Sequence, residues 1–276
     1  MRAVIFIVYK LKLGFIRLYR NSRTEINIEN AFDVCYNWNI KMTAQIMTEV
    51  KAIINADNSA KNKEMYPMKV LIINGSPRIK GNTFAAVNEL VRTFESEGIE
   101  TEVCQIGGKD IRGCIACGKC SELGRCVFND EVNEIAAKFK QADGLILASP
   151  VYYASANATL IACLDRMFYS SHFDKTMKVG ASVVVARRGG CSSTFDELNK
   201  YFTICGMPVV SSTYWNSVHG RLQGEAEFDA EGLITMRNLA HNMSFLMKAI
   251  ALGKEKYGMP EREYGEPTNF VREDLK

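Results

Sequence analysis

From Asn74 to Thr83 the chain reads Asn-Gly-Ser-Pro-Arg-Ile-Lys-Gly-Asn-Thr. Gly75 and Gly81 let the backbone turn tightly and come close to a ligand. Ser76, Asn82 and Thr83 supply neutral donors, and Arg78 supplies a charged fork suited to phosphate. Helical periodicity begins near Thr83, so the first-turn amides and the helix dipole point into the same space. No Gly-Lys-Ser/Thr follows, which excludes a Walker loop, and the glycine spacing is not that of a dinucleotide fingerprint. The chemistry offered is capture of an anion.

A second group is Cys114-x2-Cys117-x2-Cys120-x5-Cys126. Its Cys-x2-Cys-x2-Cys core is similar to the ferredoxin-type run that wraps a cubane cluster, but that run continues x3-Cys-Pro, whereas here Val127 follows the last cysteine. Four thiolates can also take zinc, or stay free. Cys35, Cys104, Cys163, Cys191 and Cys205 read as small buried hydrophobes or incidental thiols. Two further segments offer chemistry. Ser149-Pro150-Val151-Tyr152-Tyr153 presents two tyrosines with apolar faces and hydroxyls. Arg187-Arg188-Gly189-Gly190 presents cations on a flexible turn, with Arg187 nearer the strand before it. His219, His241 and Trp215 read as structural or pocket-lining residues.

These segments need a frame. Val70–Ile73, Gly144–Ala148 and Val179–Ala186 are short apolar runs of the kind buried on both faces of a parallel sheet. Glu100–Ile106 and Pro208–Thr213 complete five strands. Between them, helical periodicity covers Thr83–Glu97, Glu131–Gln141, Asn157–Tyr169 with Asn157 as N-cap, Ser193–Cys205 and Glu231–Ala251. The alternation predicts an α/β fold, a doubly wound five-stranded parallel sheet in the flavodoxin-like order 2-1-3-4-5. In such sheets ligands bind at the carboxyl ends of the strands near the switch in order, where the loops after strands one, three and four lie.

The chain has 276 residues and a net charge of +3, which gives no reason to expect nucleic acid as a partner. Nine cysteines without an export signal point to reduced thiols and a cytoplasmic protein. Residues 1–67 read as a poorly structured or helical N-terminal extension, with a helical patch over Ile40–Ile54, and residues 68–276 as the flavodoxin-like domain. Lys10 and Lys12 interrupt the apolar run Ala3–Tyr9 too early for a membrane span. The extension is then a tail, a basic segment on a membrane surface, or the product of a start assigned upstream of Met42 or Met68.

Met68–Thr83, Ser149–Tyr153, Ala186–Gly190 and Tyr214-Trp215-Asn216 fall in one order that resembles the NADPH-dependent FMN reductases and iron–sulfur flavoproteins, across about residues 68–250. The resemblance implies FMN as cofactor, NAD(P)H as hydride donor, and a small acceptor such as a flavin, quinone, azo or nitro compound. It implies that Ser149–Tyr153 lies along the isoalloxazine and that Arg187 and Gly189 reach the ring edge. A cation there would favour the reduced flavin. Iron–sulfur members hold a 4Fe–4S cluster on a compact cysteine motif like Cys114–Cys126, and an electron-carrier role would bring a ferredoxin-like partner. A redox-sensing flavin module is a further alternative. The family also implies a homodimer or homotetramer. No catalytic side chain is expected, because the cofactor performs the hard step.

Overall fold

In a computed structural model of the chain, the described residues are 4–7, 16–19, 67–263 and 265. Two compact units make up the chain, Met1–Tyr66 and Pro67–Lys276. In the first, β1 (Val4–Ile7) and β2 (Ile16–Tyr19) pair antiparallel, Val4 opposite Tyr19 and Ile7 opposite Ile16. The helical patch expected at Ile40–Ile54 and the three readings of the extension fall outside the described residues.

The second unit holds β3 (Lys69–Asn74), β4 (Glu100–Gln105), β5 (Gly144–Tyr152), β7 (Val179–Ala186) and β8 (Ser217–His219) in the parallel order β4-β3-β5-β7-β8. This is the doubly wound flavodoxin-like order expected. A sixth strand, β6 (Ser155–Ala156), folds back antiparallel on the end of β5. The period of two along β3 sorts its fully buried side chains. Val70 and Ile72 join one core with Leu90, Phe94, Leu239 and Met243, which α1 (Asn82–Ser96) and α6 (Ala230–Tyr257) provide. Leu71 and Ile73 join the other core with Phe139, Leu160, Leu164 and Phe202, from α3 (Glu131–Gln141), α4 (Ala158–Ser170) and α5 (Cys191–Thr203). A further helix, α2 (Cys120–Leu123), is a single turn in the cysteine loop.

The helix ends follow local chemistry. Asn157 caps α4 by accepting from the N–H groups of Thr159 and Leu160, as its position predicts. Asp130 caps α3 through the N–H of Val132. Gly98, at φ 72°, closes α1 in the left-handed conformation that glycine tolerates best. The last helix runs past its expected end at Ala251. It is tied to α1 by Glu97, which lies 2.8 Å from His241 Nδ1 and 3.0 Å from Lys248 Nζ. Those two partners, Lys248 foremost, hold the Glu97 carboxyl below the usual carboxylate range. His241 is therefore structural.

Two expectations are corrected. The fifth strand is Ser217–His219 and not Pro208–Thr213, of which only Val209 keeps a bridge, to Gly180. The chain leaves the sheet because Ser212 builds a local turn. Its Oγ lies 2.7 Å from both Tyr214 O and Asn216 Oδ1, which share its one hydroxyl proton, and accepts from Tyr214 N–H. The segment Ser149–Tyr152 is also not a free loop. It extends β5, because pairing with β7 continues through Pro150 opposite Val185.

Candidate functional site

The loop after β3 is built from the inside out. Asn74 Oδ1 accepts the Ser76 N–H at 2.9 Å, and Asn74 Nδ2 donates to Gln105 Oε1 at 2.8 Å. Gln105 Nε2 donates in turn to Ser76 O. The loop backbone is thus braced by the neighbouring strand β4. Ser76 Oγ accepts the Arg78 N–H at 3.2 Å, while the Arg78 side chain is exposed. Gly81 is the N-cap of α1 and brings no side-chain cap bond, so the first-turn amides of α1 lack the usual side-chain partner. Thr83 is buried in that turn. Asn82 Oδ1 accepts the Ala226 N–H at 3.3 Å, which leaves its Nδ2 as the donor. An uncapped helix start beneath a braced Gly-Ser-Pro-Arg loop fits a phosphate group.

One residue the sequence did not single out controls this loop. A Cβ added to Gly107 would lie 2.2 Å from Gly75 O and Ser76 C and 2.4 Å from Ser76 O. The chain after β4 therefore crosses the loop at a distance that only glycine permits. Sequence carries no signal for this beyond the pair Gly107-Gly108 at a strand end.

The ends of β5 and β7 form the next wall. Ser149 is buried, and its Oγ donates to Pro150 O and accepts the Asn157 N–H, so its hydroxyl braces β5 against α4. Tyr153 and Ala154 turn the chain into β6 with φ of 51° and 60°. A two-residue turn of this hand normally takes Asn-Gly, and two residues with a Cβ there cost on the order of 1 kcal/mol each. The turn is held from α5: Glu197 accepts from Ser155 Oγ and, at 2.8 Å, from the Ala156 N–H. The consequence is that Tyr153 stands fully exposed at the carboxyl end of β5, with Tyr152 half-exposed beside it. Gly190, at φ 90°, packs against this turn so closely that a Cβ would lie 2.8 Å from Ala154 Cα and Val151 Cγ1. The structure thus brings the Ser149–Tyr153 and Arg187–Gly190 segments together, with Arg187 and Gly189 exposed. Tyr214 and Trp215 pack against each other at a tilt of 58°, ring centroids 5.0 Å apart, and are both exposed.

Cys114, Cys117, Cys120 and Cys126 all line one hollow, closed by Phe128 and by Arg166, Tyr169 and Ser170 from the last turns of α4. Left-handed φ values at Ala116, Gly118 and Gly124 wrap the loop around it. Cys114 and Cys117 are exposed, Cys120 is half-buried and Cys126 is buried. The Ala116 N–H donates to Cys114 Sγ at 3.4 Å. Among the described residues no three His, Cys, Asp or Glu side chains converge on a single point as ligands of one ion. The hollow and the Gly75 loop meet opposite ends of α4, since Gly75 packs on Leu160 while the hollow reaches Ser170. Ten residues of helix put those ends about 15 Å apart. Outside the loop, burial pushes the Cys163 thiol up to about 12 and raises Cys104, Cys191 and Cys205. Of these, Cys163 is buried as a small hydrophobe would be, while Cys104, Cys191 and Cys205 are half-buried; Cys35 lies outside the described residues. His219 sits 3.6 Å from Asp229 and 3.9 Å from Cys191 Sγ.

A parallel doubly wound sheet with an anion loop at its switch point is an architecture that binds phosphate-bearing ligands at the carboxyl ends of its strands. The model of the NADPH-dependent FMN reductases matches residues 68–221, more than half of the chain, and the chain belongs to that family. It is an FMN-binding, NAD(P)H-dependent oxidoreductase. It is 38% identical over 191 residues to an iron–sulfur flavoprotein of Methanocaldococcus jannaschii, covering 66% of this chain and 99% of that one. It is 32% identical over 194 residues to an iron–sulfur flavoprotein of Methanosarcina thermophila, covering 68% and 100%. An NAD(P)H:quinone oxidoreductase from Methanothermobacter marburgensis shares the fold, with a TM-score of 0.52 at 16% identity over 64% of this chain and 96% of that one. Among the described residues no helix is long and apolar enough to cross a membrane.

Proposed function

We propose that this chain is an NAD(P)H-dependent FMN oxidoreductase that also carries a 4Fe–4S cluster on Cys114, Cys117, Cys120 and Cys126. The observation that carries the reading is that all four cysteines line one hollow. Their Cys-x2-Cys-x2-Cys spacing is similar to that of cubane-binding runs, which favours a cluster over a zinc ion. The names of the two archaeal relatives support the same assignment.

When bound, FMN supplies hydride acceptance and the cluster supplies one-electron exchange. The chain's own residues do the holding. Ser76, Arg78, Asn82 and Thr83, with the first-turn amides of α1, receive the phosphate. The β5 backbone from Ser149 through Val151 and the turn at Tyr152 and Tyr153 provide a flat wall for the ring. Arg187 and Gly189 complete its edge. The physiological partner of such a protein is a ferredoxin-like electron carrier, and a homodimer or homotetramer is the proposed assembly. A second reading, direct transfer to a quinone, azo or nitro compound, rests on the exposed Tyr153 ring, which leaves an aromatic face for a planar acceptor.

Anaerobic purification followed by iron and sulfide assays tests the first reading. Stoichiometric iron and sulfide with flavin are expected, and flavin without iron sinks it in favour of the second. Mixing with NADPH should bleach the flavin within seconds, since enzymes commonly turn over at about 1–1000 per second. The phosphate assignment has its own check. Arg78→Ala should weaken FMN binding to apo-protein by roughly tenfold, the low end for a charged hydrogen bond because the side chain is exposed. An unchanged affinity in a flavin-fluorescence titration would remove Arg78 from the site.

A further inference from the structure

Among the described residues, Arg166 is the largest fully buried side chain. A buried guanidinium requires strong acceptors on its N–H groups. Asp130 provides two, with both pairs at 2.7 Å, and Arg112 O provides a third at 3.2 Å. The Nε–H, however, points at Cys126 Sγ, 3.3 Å away. A neutral thiol is a weak acceptor for a buried cation, whereas a sulfur that shares negative charge with a cluster is a good one. Phe128 lies against the guanidinium, its ring centroid 5.0 Å from Cζ, and helps to keep water out.

The same corner is fixed from the backbone side. Asn133 Oδ1 accepts the Cys126 N–H at 3.0 Å, and Asn133 Nδ2 donates to Cys126 O and Phe128 O at 3.1 and 2.8 Å. Cys126 is therefore held at both its backbone and its sulfur, while Cys114 and Cys117 are exposed. Asp130 belongs to the same unit, because the carboxylate that pairs with Arg166 also caps α3.

We infer that Arg166 is a positioning residue for the cluster. Its Nε–H fixes the Cys126 sulfur toward the hollow, and its charge favours the reduced, more anionic cluster, with Asp130 damping that effect. The inference rests on the cluster reading above. It assigns the two side chains opposite signs: removing the Arg166 charge lowers the cluster's reduction potential and removing the Asp130 charge raises it, since net charge and hydrogen bonds to sulfur set such potentials.

The test is an anaerobic redox titration, followed by electron paramagnetic resonance, of full-length holoprotein and its Arg166→Gln, Arg166→Lys and Asp130→Asn variants. Melting temperature and FMN content are recorded alongside. Arg166→Gln should shift the midpoint negative by about 59 mV or more, a tenfold change for one electron. Arg166→Lys keeps the charge but loses the fixed fork and should shift less in the same direction. Asp130→Asn keeps a good N-cap residue and should shift positive. If Arg166→Gln does not fold, the opposed shifts of Arg166→Lys and Asp130→Asn still decide the matter. Lowered melting temperatures with unmoved potentials, or shifts of one sign in all variants, would overturn the inference and leave the cluster standing. Wild-type protein without iron would overturn the cluster reading and the inference together.

Discussion

Replacing Gly107 by alanine is expected to weaken FMN binding by at least about 100-fold, close to 3 kcal/mol. The alanine methyl would sit 2.2 Å from backbone atoms of Gly75 and Ser76. Ordinary contact begins near 3.5 Å, so one backbone must move by roughly 1 Å. No side chain can rotate to absorb this, because both partners are main chain. The loop is also pinned on its other side by Asn74 and Gln105, so the displacement passes into the peptide units proposed to face the phosphate. Misplacing a binding group by about 1 Å costs on the order of 100-fold. Titration of apo-protein with FMN, beside a Gly108→Ala control that meets only Pro77 O at 3.9 Å, checks the result. Equal affinities for both variants would mean that the loop does not hold the flavin phosphate.

The second large effect separates function from folding. Cys117 is exposed, so in the cluster-free protein its conversion to serine should change stability by no more than about 0.5 kcal/mol. Yet iron content should fall at least tenfold, since even residues behind a metal ligand change affinity by about 10–100-fold. FMN content should stay at the wild-type level, because the phosphate loop meets the other end of α4. Cys205→Ala, outside the hollow, should keep all of its iron. Elemental analysis together with a thermal melt gives both quantities. Full iron in Cys117→Ser would remove that thiol from the ligand set.

The parts of the molecule that local chemistry specifies were readable in the sequence. The run Val70–Ile73 reads as a strand buried on both faces and is one, and α3 occupies the residues its periodicity marks. Asn157 caps α4 because a short side-chain carbonyl reaches the next two amides. What escaped depends on approach through space. Gly107 looks like any glycine after a strand until β4 lies beside β3. Arg166 pairs with Asp130 across 36 positions, although its place on the face shared by Cys163 and Met167 could have flagged a buried charge. Ser212 took Pro208–Thr213 out of the sheet through side-chain bonds that no propensity encodes. At the functional site, the Ser149 hydroxyl, expected beside a ligand, is bound internally, whereas Tyr153 owes its exposure to a turn conformation that its residue type disfavours.

The bare start of α1 reaches beyond the site itself. Gly81 leaves the opening turn of that helix without a side-chain cap, open to the phosphate proposed for it. Leu90 and Phe94 of the same helix lie in one of the two cores. Occupancy of the loop is therefore coupled to the integrity of half the sheet's packing. By mass action, free FMN at 100 times its dissociation constant adds about 2.7 kcal/mol to the folded state, a large part of a domain's usual margin. The folding stability of this protein, and not only its activity, should thus rise with the free flavin concentration, which a thermal melt at increasing FMN checks.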